Sequence, residues 1–410
     1  MRVAIVILNL GLICSTLLAG NWPEFRGPTG QGHANAASLP LRWSETEHVR
    51  WKTAIPGEGW SSPVIWGDQI WMTTALNDGR SLRAICVQKA TGKILFNKEI
   101  VSVEAPKFKH ALNSYASPTP VIEEGRVYVS FGDYGNACLD TKTGEILWKT
   151  FELKLEHENG PGSSPILYKD LFILHCDGTN VQYLAALNKK DGSLAWRTDR
   201  SGFIDKAPPM KKAYSVPLVI QVRGRDQLIS PAAEYVYAYE PLTGKELWYV
   251  KYPGFSNVPR PVYGEGLLFI CTGFGKPEIW AIEPGLKGDL TASHVAWKVR
   301  KQAPAKPSPI LAAGRLFMVS DNGIVSCLEP KTGKAFWEER IPGEYSASPI
   351  FGDGKLYFCN QQGLTTVIKP ADEFTVLAEN KLPDGFMASP AVSERAIFLR
   401  TKAALYRIEQ

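Results

Sequence analysis

The chain has 410 residues, which is enough for a sizeable core, and its 36 glycines, 29 prolines and 11% aromatic residues favour many short strands joined by tight turns. A net charge of +5, without a block of like charges or a low-complexity run, excludes a nucleic-acid-binding footprint and a long disordered tail.

Residues 1–20 have the features of a secretory signal peptide. Residues 3–18 are almost entirely apolar, and Ala19 and Gly20 supply small residues at the end of the segment. The apolar stretch is short for a transmembrane helix, although an uncleaved anchor remains the alternative. The residue before Cys14 is not small, which argues against lipidation. We therefore expect a periplasmic or secreted protein after cleavage, without a transmembrane span.

Residues 21–47 form an N-terminal extension with many glycine and proline turns, and the sequence leaves open whether it wraps the fold or hangs free. The next residues, 48–53, contain Trp51 followed by Lys52, and this pair has the pattern of an outer strand that lacks the rest of its sheet. Residues 48–410 then form one repetitive domain.

A short phrase recurs eight times in that domain: a small or polar residue, a proline, and then two aliphatic or β-branched residues. The spacing of roughly 40 to 57 residues is typical of one four-stranded blade of a β-propeller. The prolines of this phrase are Pro63, Pro120, Pro165, Pro217, Pro261, Pro309, Pro349 and Pro390.

Two further phrases follow within the repeat. The first is a small residue, an aliphatic or aromatic one and then an acidic or amide one, as in Cys138-Leu139-Asp140. The second is a turn glycine with an aromatic residue four positions later, as in Gly144 and Trp148; we expect the aromatic ring to pack between neighbouring sheets. Each repeat therefore predicts an inner strand that starts at the proline, two middle strands and an outer strand that carries the aromatic residue.

The last repeat ends at Gln410 without an outer strand of its own. Residues 48–53 can supply that strand, which would remove two open sheet edges. The sequence thus predicts an all-β fold: an eight-bladed β-propeller of four-stranded antiparallel blades, closed by an N-terminal strand that completes the C-terminal blade. An open solenoid is the alternative, but it would leave both end strands exposed to aggregation.

These phrases resemble the repeat of the PQQ-like (pyrroloquinoline quinone) β-propeller family, which includes the outer-membrane β-barrel assembly lipoprotein and the quinoprotein alcohol dehydrogenases. The resemblance covers nearly all of residues 48–410 and implies a propeller fold, but it does not imply a cofactor. The opening residues Asn21 to Pro28 and the run from Pro56 to Pro63 also resemble secreted members of this family.

The resemblance implies what a quinoprotein dehydrogenase would need: Ca²⁺ held by carboxylate and amide oxygens beside the quinone, an aspartate base, a stacking tryptophan and often two adjacent cysteines. No adjacent cysteine pair is present, and no matching set of acidic and amide residues is found. PQQ and Ca²⁺ therefore have no motif that supports them, and we predict no catalytic residue and no metal ligand. The recurring acidic residues, which we expect to serve strand-end hydrogen bonds, are Asp140, Glu240, Glu283, Glu329 and Glu409.

The six cysteines after the signal segment fall at two repeat positions, Cys86, Cys138 and Cys327 at one and Cys176, Cys271 and Cys359 at the other. Because cysteines in the same register lie in separate blades, we expect buried free thiols, with disulfides as the alternative. Of the six scattered histidines, only His175 is followed directly by other reactive side chains, in the tripeptide His175-Cys176-Asp177. Because consecutive strand residues point to opposite faces, this tripeptide is not expected to act as one unit.

The loops that enter the inner strands should converge at one end of the central channel. Basic and aromatic residues there would suit a small anionic or sugar-like ligand or an envelope protein, and solvated loops without a ligand are the alternative. The candidate binding residues are Trp60, Lys107, Lys109, His110, Asn113, Tyr115, Lys211, Lys212, Tyr214, Arg260 and Lys306.

The sequence favours a monomeric, non-catalytic binding or scaffold propeller of the cell envelope. A PQQ- and Ca²⁺-dependent oxidoreductase, or a degenerate relative of one, remains the main alternative. A hydrolase or lyase built on a propeller is a third.

Overall fold

The structure is a computed structural model, which describes residues 20–202 and 204–410. Most of the signal segment, residues 1–19 with Cys14, therefore lies outside the described residues. The described residues form eight antiparallel sheets, each of four strands except for a fifth, two-residue strand added to one of them. This architecture confirms the predicted eight-bladed β-propeller.

The first strand, β1 (Val49–Ala54), lies at the edge of the last blade. It pairs antiparallel with β33, so that Trp51 lies opposite Arg407 and Ala54 opposite Ala404. The predicted ring closure is thus confirmed, one residue further along the chain than residues 48–53.

The remaining strands follow the repeats in chain order. Blade 1 consists of β2 (Val64–Trp66), β3 (Gln69–Leu76), β4 (Ser81–Gln88) and β5 (Ile94–Ser102). Blade 2 consists of β6 (Val121–Glu123), β7 (Arg126–Ser130), β8 (Asn136–Asp140) and β9 (Ile146–Thr150). Blade 3 consists of β10 (Ile166–Tyr168), β11 (Leu171–Asp177), β12 (Gln182–Asn188) and β13 (Leu194–Asp199). Blade 4 consists of β14 (Leu218–Val222), β15 (Arg225–Pro231), β16 (Tyr235–Tyr239) and β17 (Glu246–Lys251).

The second half of the ring repeats this arrangement. Blade 5 consists of β18 (Val262–Gly264), β19 (Leu267–Cys271), β20 (Ile279–Ile282) and β22 (Val295–Val299), whereas β21 (Gly288–Asp289) pairs parallel with β17 of blade 4. Blade 6 consists of β23 (Ile310–Ala312), β24 (Arg315–Val319), β25 (Ile324–Leu328) and β26 (Ala335–Arg340). Blade 7 consists of β27 (Ile350–Gly352), β28 (Lys355–Cys359), β29 (Leu364–Ile368) and β30 (Val376–Lys381). Blade 8 consists of β31 (Ala391–Ser393), β32 (Ala396–Arg400), β33 (Ala404–Ile408) and β1.

Each inner strand begins directly after its repeat proline, as predicted. The long turn of blade 5 also has an explanation, because it contains β21, which extends the neighbouring sheet. Helical structure in the described part of the chain is limited to three 3₁₀ turns, at Asn77–Gly79, Gly132–Tyr134 and Pro208–Met210.

The hydrophobic core lies in layers between neighbouring blades. The layer between blades 4 and 5, for example, contains Trp248 with Ile270 and Trp280, all at most 3% exposed. The outer-strand aromatics lie in these layers, as predicted: the Trp297 ring of blade 5 contacts Gly333 of blade 6. The structure also has all six cysteines as buried free thiols, because they fill these apolar layers.

The repeated acidic position serves strand ends, as predicted from its recurrence. The Asp140 carboxylate accepts hydrogen bonds from the backbone N–H groups of Lys142 and Thr143, both at 2.8 Å. Glu329 accepts a hydrogen bond from the Thr332 hydroxyl in the corresponding turn of blade 6. These side chains lie at the outer turns, away from the channel.

Candidate functional site: the channel mouth

The residue before each repeat proline forms a ring of hydrogen bonds around the central channel. In six of the eight blades this residue is Ser or Thr, and its hydroxyl accepts the backbone N–H of the equivalent residue one blade earlier. Ser308 N donates to Ser348 Oγ at 2.9 Å, Ser348 N to Ser389 Oγ at 2.9 Å, and Ser389 N to Ser62 Oγ at 3.0 Å. The small or polar residue of the repeat phrase therefore joins the inner strands into a rigid channel wall.

Above this ring lies a cavity of about 470 Å³, the mouth funnel. All eight residues three positions before a repeat proline line it, which confirms that the entering loops converge at one end of the channel. They are Trp60, Ser117, Gly162, Tyr214, Val258, Lys306, Ser346 and Met387.

The mouth funnel is closed below by the N-terminal extension. Phe25 lines the funnel, and residues on either side of it contact inner strands on opposite sides of the ring. Trp22 pairs with Ile65 of blade 1, whereas Gln31 accepts the backbone N–H of Tyr263 in blade 5. Residues 20–43 therefore cross the channel, and we call this segment the plug. The N-terminal extension thus packs against the ring and does not hang free.

Further along the plug, contacts continue around blades 6 and 7. His33 Nε2 hydrogen-bonds the carbonyl oxygen of Leu311, and His33 forms a parallel bridge with Phe351. The backbone N–H of Trp43 donates to Asn380 Oδ1 on the outer strand of blade 7 at 2.8 Å. The extension then reaches β1, so it runs from the channel to the rim of the ring.

Arg260 anchors the plug. Its Nη1 donates to the carbonyl oxygen of Phe25 at 2.6 Å, its Nε donates to Pro217 at 3.1 Å, and its Nη2 lies 3.4 Å from Glu24. Arg260 is 1% exposed, so this candidate binding residue lies beneath the funnel rather than on its wall. Burial raises the pKa of Glu24, although the charge of Arg260 opposes that shift.

A second buried guanidinium, that of Arg26, lies beside Gly32. It makes no hydrogen bond within residues 20–202 and 204–410, and burial together with the nearby Arg260 lowers its pKa to about 9. Glu24 is the carboxylate that pairs with Arg260 here. Excess positive charge is therefore buried under the funnel.

The mouth itself is less basic than the sequence suggested, because most of its lysines are paired. Lys109 Nζ lies 2.9 Å from Glu58, Lys306 Nζ lies 3.4 Å from Asp321, and Lys212 forms an ion pair with Glu158. Since these carboxylates come from other loops, sequence position alone did not reveal the pairing. The basic face stays a prediction, in which the charge of each of these three cations is balanced by a carboxylate.

Six of the candidate binding residues line the mouth funnel: Trp60, His110, Asn113, Lys212, Tyr214 and Lys306. Several of these are occupied by internal contacts. The Asn113 amide donates to the carbonyl oxygens of Asn159 and Pro161 and accepts the backbone N–H of Ser114, and the Tyr214 hydroxyl donates to the carbonyl oxygen of His157. These two side chains therefore shape the funnel and have little hydrogen-bonding capacity left for a ligand.

The other candidates lie outside the funnel. Lys107 lines a neighbouring groove of about 450 Å³ and pairs there with Asp133. Lys109 Nζ lies 5.7 Å above the Tyr115 ring, which also packs edge-on against Tyr134. Lys211 lines neither cavity. The structure thus brings together about half of the predicted set.

Sequence reasoning missed the apolar character of the mouth. Phe274 is 64% exposed and Leu112 is 45% exposed, and both line the funnel together with Val258 and Phe255. Large apolar side chains exposed around a concave opening mark an interaction surface. The signal was present in the sequence as apolar residues in polar loops, but no repeat phrase includes Phe274 or Leu112.

His175 and Asp177 form a contact that the sequence interpretation did not expect. His175 Nε2 lies 3.1 Å from Asp177 Oδ2, and Arg200 Nε donates to Asp177 Oδ1 at 3.1 Å. The alternation of strand faces explains both observations, because residues two apart share a face while Cys176 points the other way. His175 and Asp177 are almost fully buried, and both His175 and Arg200 hydrogen-bond Ser230 of blade 4, so this network joins blades 3 and 4.

The funnel does not fit a quinone and its metal ion. Among the funnel residues the only carboxylate is Asp321, which already accepts the backbone N–H groups of Ala305 and Lys306 and pairs with the Lys306 side chain. In the described part of the chain, no group of three or more His, Cys, Asp or Glu side chains could hold a metal ion. The donor set expected for Ca²⁺ beside a quinone is therefore not assembled at the mouth.

Comparison with known proteins identifies a family profile that matches this chain. The profile of the family described as outer membrane protein assembly factor BamB matches residues 41–203 and 222–410. The protein of that name from Shewanella oneidensis is 21% identical over 250 residues, which are 55% of this chain and 57% of the relative. Tetrathionate hydrolase from Acidithiobacillus ferrooxidans is 21% identical over 309 residues, which are 69% of this chain and 53% of the relative. The chain thus spans little more than half the length of these relatives.

Solved structures share the fold. BamB from Moraxella catarrhalis superposes with a TM-score of 0.64 and 11% identity, over 88% of this chain and 97% of the other. A europium-containing methanol dehydrogenase superposes with a TM-score of 0.68 and 10% identity, over 94% of this chain and 90% of the other. At these identities the likeness is one of fold alone, since one fold hosts scaffolds and enzymes. No helix in residues 20–202 or 204–410 has the length and apolarity to span a membrane.

Proposed function

This chain belongs to the family of the outer membrane protein assembly factor BamB, and we propose that it is a periplasmic scaffold that docks a partner protein at the mouth funnel. The observation that carries this proposal is the exposed apolar rim of the funnel, where Phe274 and Leu112 lie on loops next to the rigid ring of inner strands. Docking here would bury apolar surface at about 25 cal/mol per Å², the main favourable term in most protein association.

Paired lysines around the rim support a protein partner more than a small anion. Because Lys109, Lys212 and Lys306 each contact a carboxylate, an anionic ligand would have to displace that carboxylate before it gained charge stabilisation. A partner side chain that inserts between Trp60 and Phe274 requires no such exchange. Aromatic anchors in a pocket with a polar rim are typical of energetically important positions in protein interfaces.

We propose that the partner acts in the assembly of outer-membrane proteins, as the family name indicates. The test replaces Phe274 with a photoreactive phenylalanine analogue in the full-length protein in its own cells and identifies crosslinked proteins. The matched control is the same analogue at Phe336, which is 44% exposed on β26 of blade 6, away from the mouth. We expect a discrete crosslink to an outer-membrane assembly component from position 274 and not from position 336.

A functional measurement complements the crosslink. Deletion of the gene should lower the abundance of outer-membrane β-barrel proteins, and wild-type protein should restore it, whereas a Leu112→Ser and Phe274→Ser double variant should not. A Leu95→Ser and Leu147→Ser double variant, on exposed outer-strand positions, is the control and should restore it. Unchanged β-barrel protein levels in the deletion strain would refute the assembly role.

The oxidoreductase alternative can be tested directly. Purified protein is incubated with PQQ and Ca²⁺, and a bound-quinone spectrum and dye reduction with alcohols or sugars are measured. Since one carboxylate, already paired, is present among the funnel residues, we expect neither signal. Stoichiometric quinone binding with turnover would overturn the scaffold proposal.

A further inference from the structure

The inner strand of each blade presents backbone groups to the channel. In a two-residue hairpin the two residues that flank the turn form a hydrogen-bonded pair. The residue that precedes this pair on the first strand therefore points its N–H and C=O away from the partner strand. Ile65 of blade 1 shows this arrangement: its N–H and C=O both bond the backbone of Trp22 in the plug, each at 2.8 Å. An extended segment of the chain thus adds to the inner edge of blade 1.

The plug also hydrogen-bonds the backbone of the equivalent residue in four more blades. Phe351 of blade 7 donates to Gly32 and accepts from Ala34, at 2.9 and 2.8 Å. Ile122 of blade 2 donates to the carbonyl oxygen of Pro23, and Tyr263 of blade 5 donates to the Gln31 side chain. Leu311 of blade 6 accepts from His33.

Blades 3 and 4 are omitted, because the plug passes directly from blade 2 to blade 5. The equivalent residues there are Leu167 of β10 and Gln221 of β14, and within the described ranges neither has a backbone hydrogen bond on its channel side. β14 has five residues where every other inner strand has three, so Val219 is a second outward-pointing residue. Within the described ranges Val392 of blade 8 is also without such a bond, but it is 4% exposed and does not line the groove at blades 3 and 4.

A groove of about 480 Å³ opens at this gap. Leu167, Val219 and Gln221 line one side of it, and Thr29 and Gln31 of the plug line the other. Its charged residues, Glu24 and Arg260, pair with each other, so the groove offers uncharged walls and unpaired backbone groups. This floor groove shares no lining residue with the mouth funnel.

We propose that the floor groove binds an extended, uncharged segment of a partner protein, which adds as a strand to the inner edge of β14. The chain itself supplies the precedent, since its own extended residues occupy the equivalent edges of blades 1 and 7. Strand addition to an open sheet edge is an established mode of peptide recognition in which main-chain hydrogen bonds supply the affinity. The inference goes beyond the proposed docking at the mouth and does not depend on it.

The test uses the full-length protein and a fluorescein-labelled hexapeptide of alternating valine and threonine, with binding followed by fluorescence anisotropy. Val219→Pro removes the N–H that points into the groove, and a proline is tolerated at an edge position whose N–H makes no ladder bond. We expect this substitution to weaken peptide binding about tenfold, because a buried carbonyl of the peptide loses its donor. Val219→Ala keeps the N–H and should bind within about twofold of wild type.

A second arm needs no change in the protein. The same peptide carrying N-methyl groups on alternate residues keeps its side chains but cannot pair with the edge, so wild-type protein should not bind it. The proposal would be overturned if wild-type protein bound the methylated peptide as tightly as the unmodified one, or if the Val219→Pro variant bound the unmodified peptide as tightly as wild type. It would also be overturned if wild-type protein did not bind the unmodified peptide at about 1 mM. Self-association of wild-type protein that Val219→Pro abolishes would assign the groove to a second copy and would also overturn it.

Failure here can be distinguished from failure of the mouth proposal. Phe274 lines the mouth funnel and not the floor groove, so the Phe274→Ser variant should bind the hexapeptide as wild type does. Conversely, Val219→Pro should leave the crosslink from position 274 unchanged.

Discussion

The indole ring of Trp148 in blade 2 lies against the α-carbon of Gly192 in blade 3, and its Nε1 donates to the carbonyl oxygen of Lys189 at 2.8 Å. A β-carbon on Gly192 would come within 2.6 Å of the Trp148 ring. The turn glycine of one repeat is thus the docking surface for the aromatic residue of the preceding repeat. The same contact joins Trp51 to Gly92 across the ring closure.

This contact predicts that Gly192→Ala is strongly destabilising. Gly192 has φ +75°, so alanine would be strained by about 1–2 kcal/mol, and displacement of the Trp148 ring should add about 1–3 kcal/mol. Gly224→Ala is the matched control, because Gly224 has φ +77° with nothing within 4 Å of the added β-carbon. The free energies of unfolding by urea should separate the two variants. Equal losses would show that the ring contact contributes nothing.

The sequence repeat allowed the ring of blades to be predicted, but the course of the plug across the ring could not be predicted. Each repeat proline marks the start of an inner strand because the phrase recurs in register with the fold. The plug has no repeat: its contacts join Glu24 to Arg260 and His33 to Leu311, more than 200 residues apart. A segment of turns without periodicity gives no indication of which distant strands it will meet.

The candidate site shows the same limit. The sequence located the mouth funnel, because the position three residues before each proline is fixed by the repeat. It did not predict the charge of the funnel, since Lys212 and Glu158 are brought together by separate loops. Nor could it show that Arg260 is buried, because that depends on where the plug lies.

The hydroxyl ring predicts a specific loss at Ser348. Its Oγ accepts the buried N–H of Ser308 at 2.9 Å, so Ser348→Ala leaves that donor without a partner at a cost of about 1–2 kcal/mol. Ser348→Thr should restore most of the stability, because Thr119 holds the equivalent position in blade 2. Thermal unfolding of the three proteins is the measurement. A threonine variant as unstable as the alanine variant would contradict the hydrogen-bond explanation.

Ring closure by β1 predicts a proline effect that depends on position. Ile55 N donates to the carbonyl oxygen of Ala403, so by alternation Thr53 N also faces β33, whereas Ala54 N points away. Thr53→Pro should therefore lower the free energy of unfolding by at least about 2 kcal/mol, since it removes a ladder bond and leaves an unpaired carbonyl. Ala54→Pro removes an outward N–H and should cost much less.

Urea denaturation of these two variants is compared with that of Thr53→Ala, because the Thr53 hydroxyl also donates to the carbonyl oxygen of Gly92 at 2.6 Å. The alanine variant isolates the loss of this side-chain bond. Indistinguishable stability of the two proline variants would indicate that β1 does not pair as described.

Stability should fall in mild acid because of His157. Burial lowers the pKa of His157 to about 4, with the nearby Lys107 adding to the shift and Asp133 opposing it. An unfolded histidine binds a proton below about pH 6.5, so between about pH 6.5 and 4 the unfolded chain holds a proton that the folded protein does not. This linkage removes up to about 3 kcal/mol as the pH falls through that window.

Replacement of His157 isolates this contribution. His157 Nε2 accepts the backbone N–H of Asp133, and an asparagine oxygen can take that role without titrating, so His157→Asn should flatten the dependence of the unfolding free energy on pH between 7 and 4.5. The raised pKa of Glu24 acts in the opposite sense, because a carboxyl that protonates more readily when folded gains stability as the pH falls. Because Glu24 is present in both proteins, its contribution cancels when the unfolding free energies of variant and wild type are subtracted. A wild-type slope retained in His157→Asn would rule out His157 as the cause.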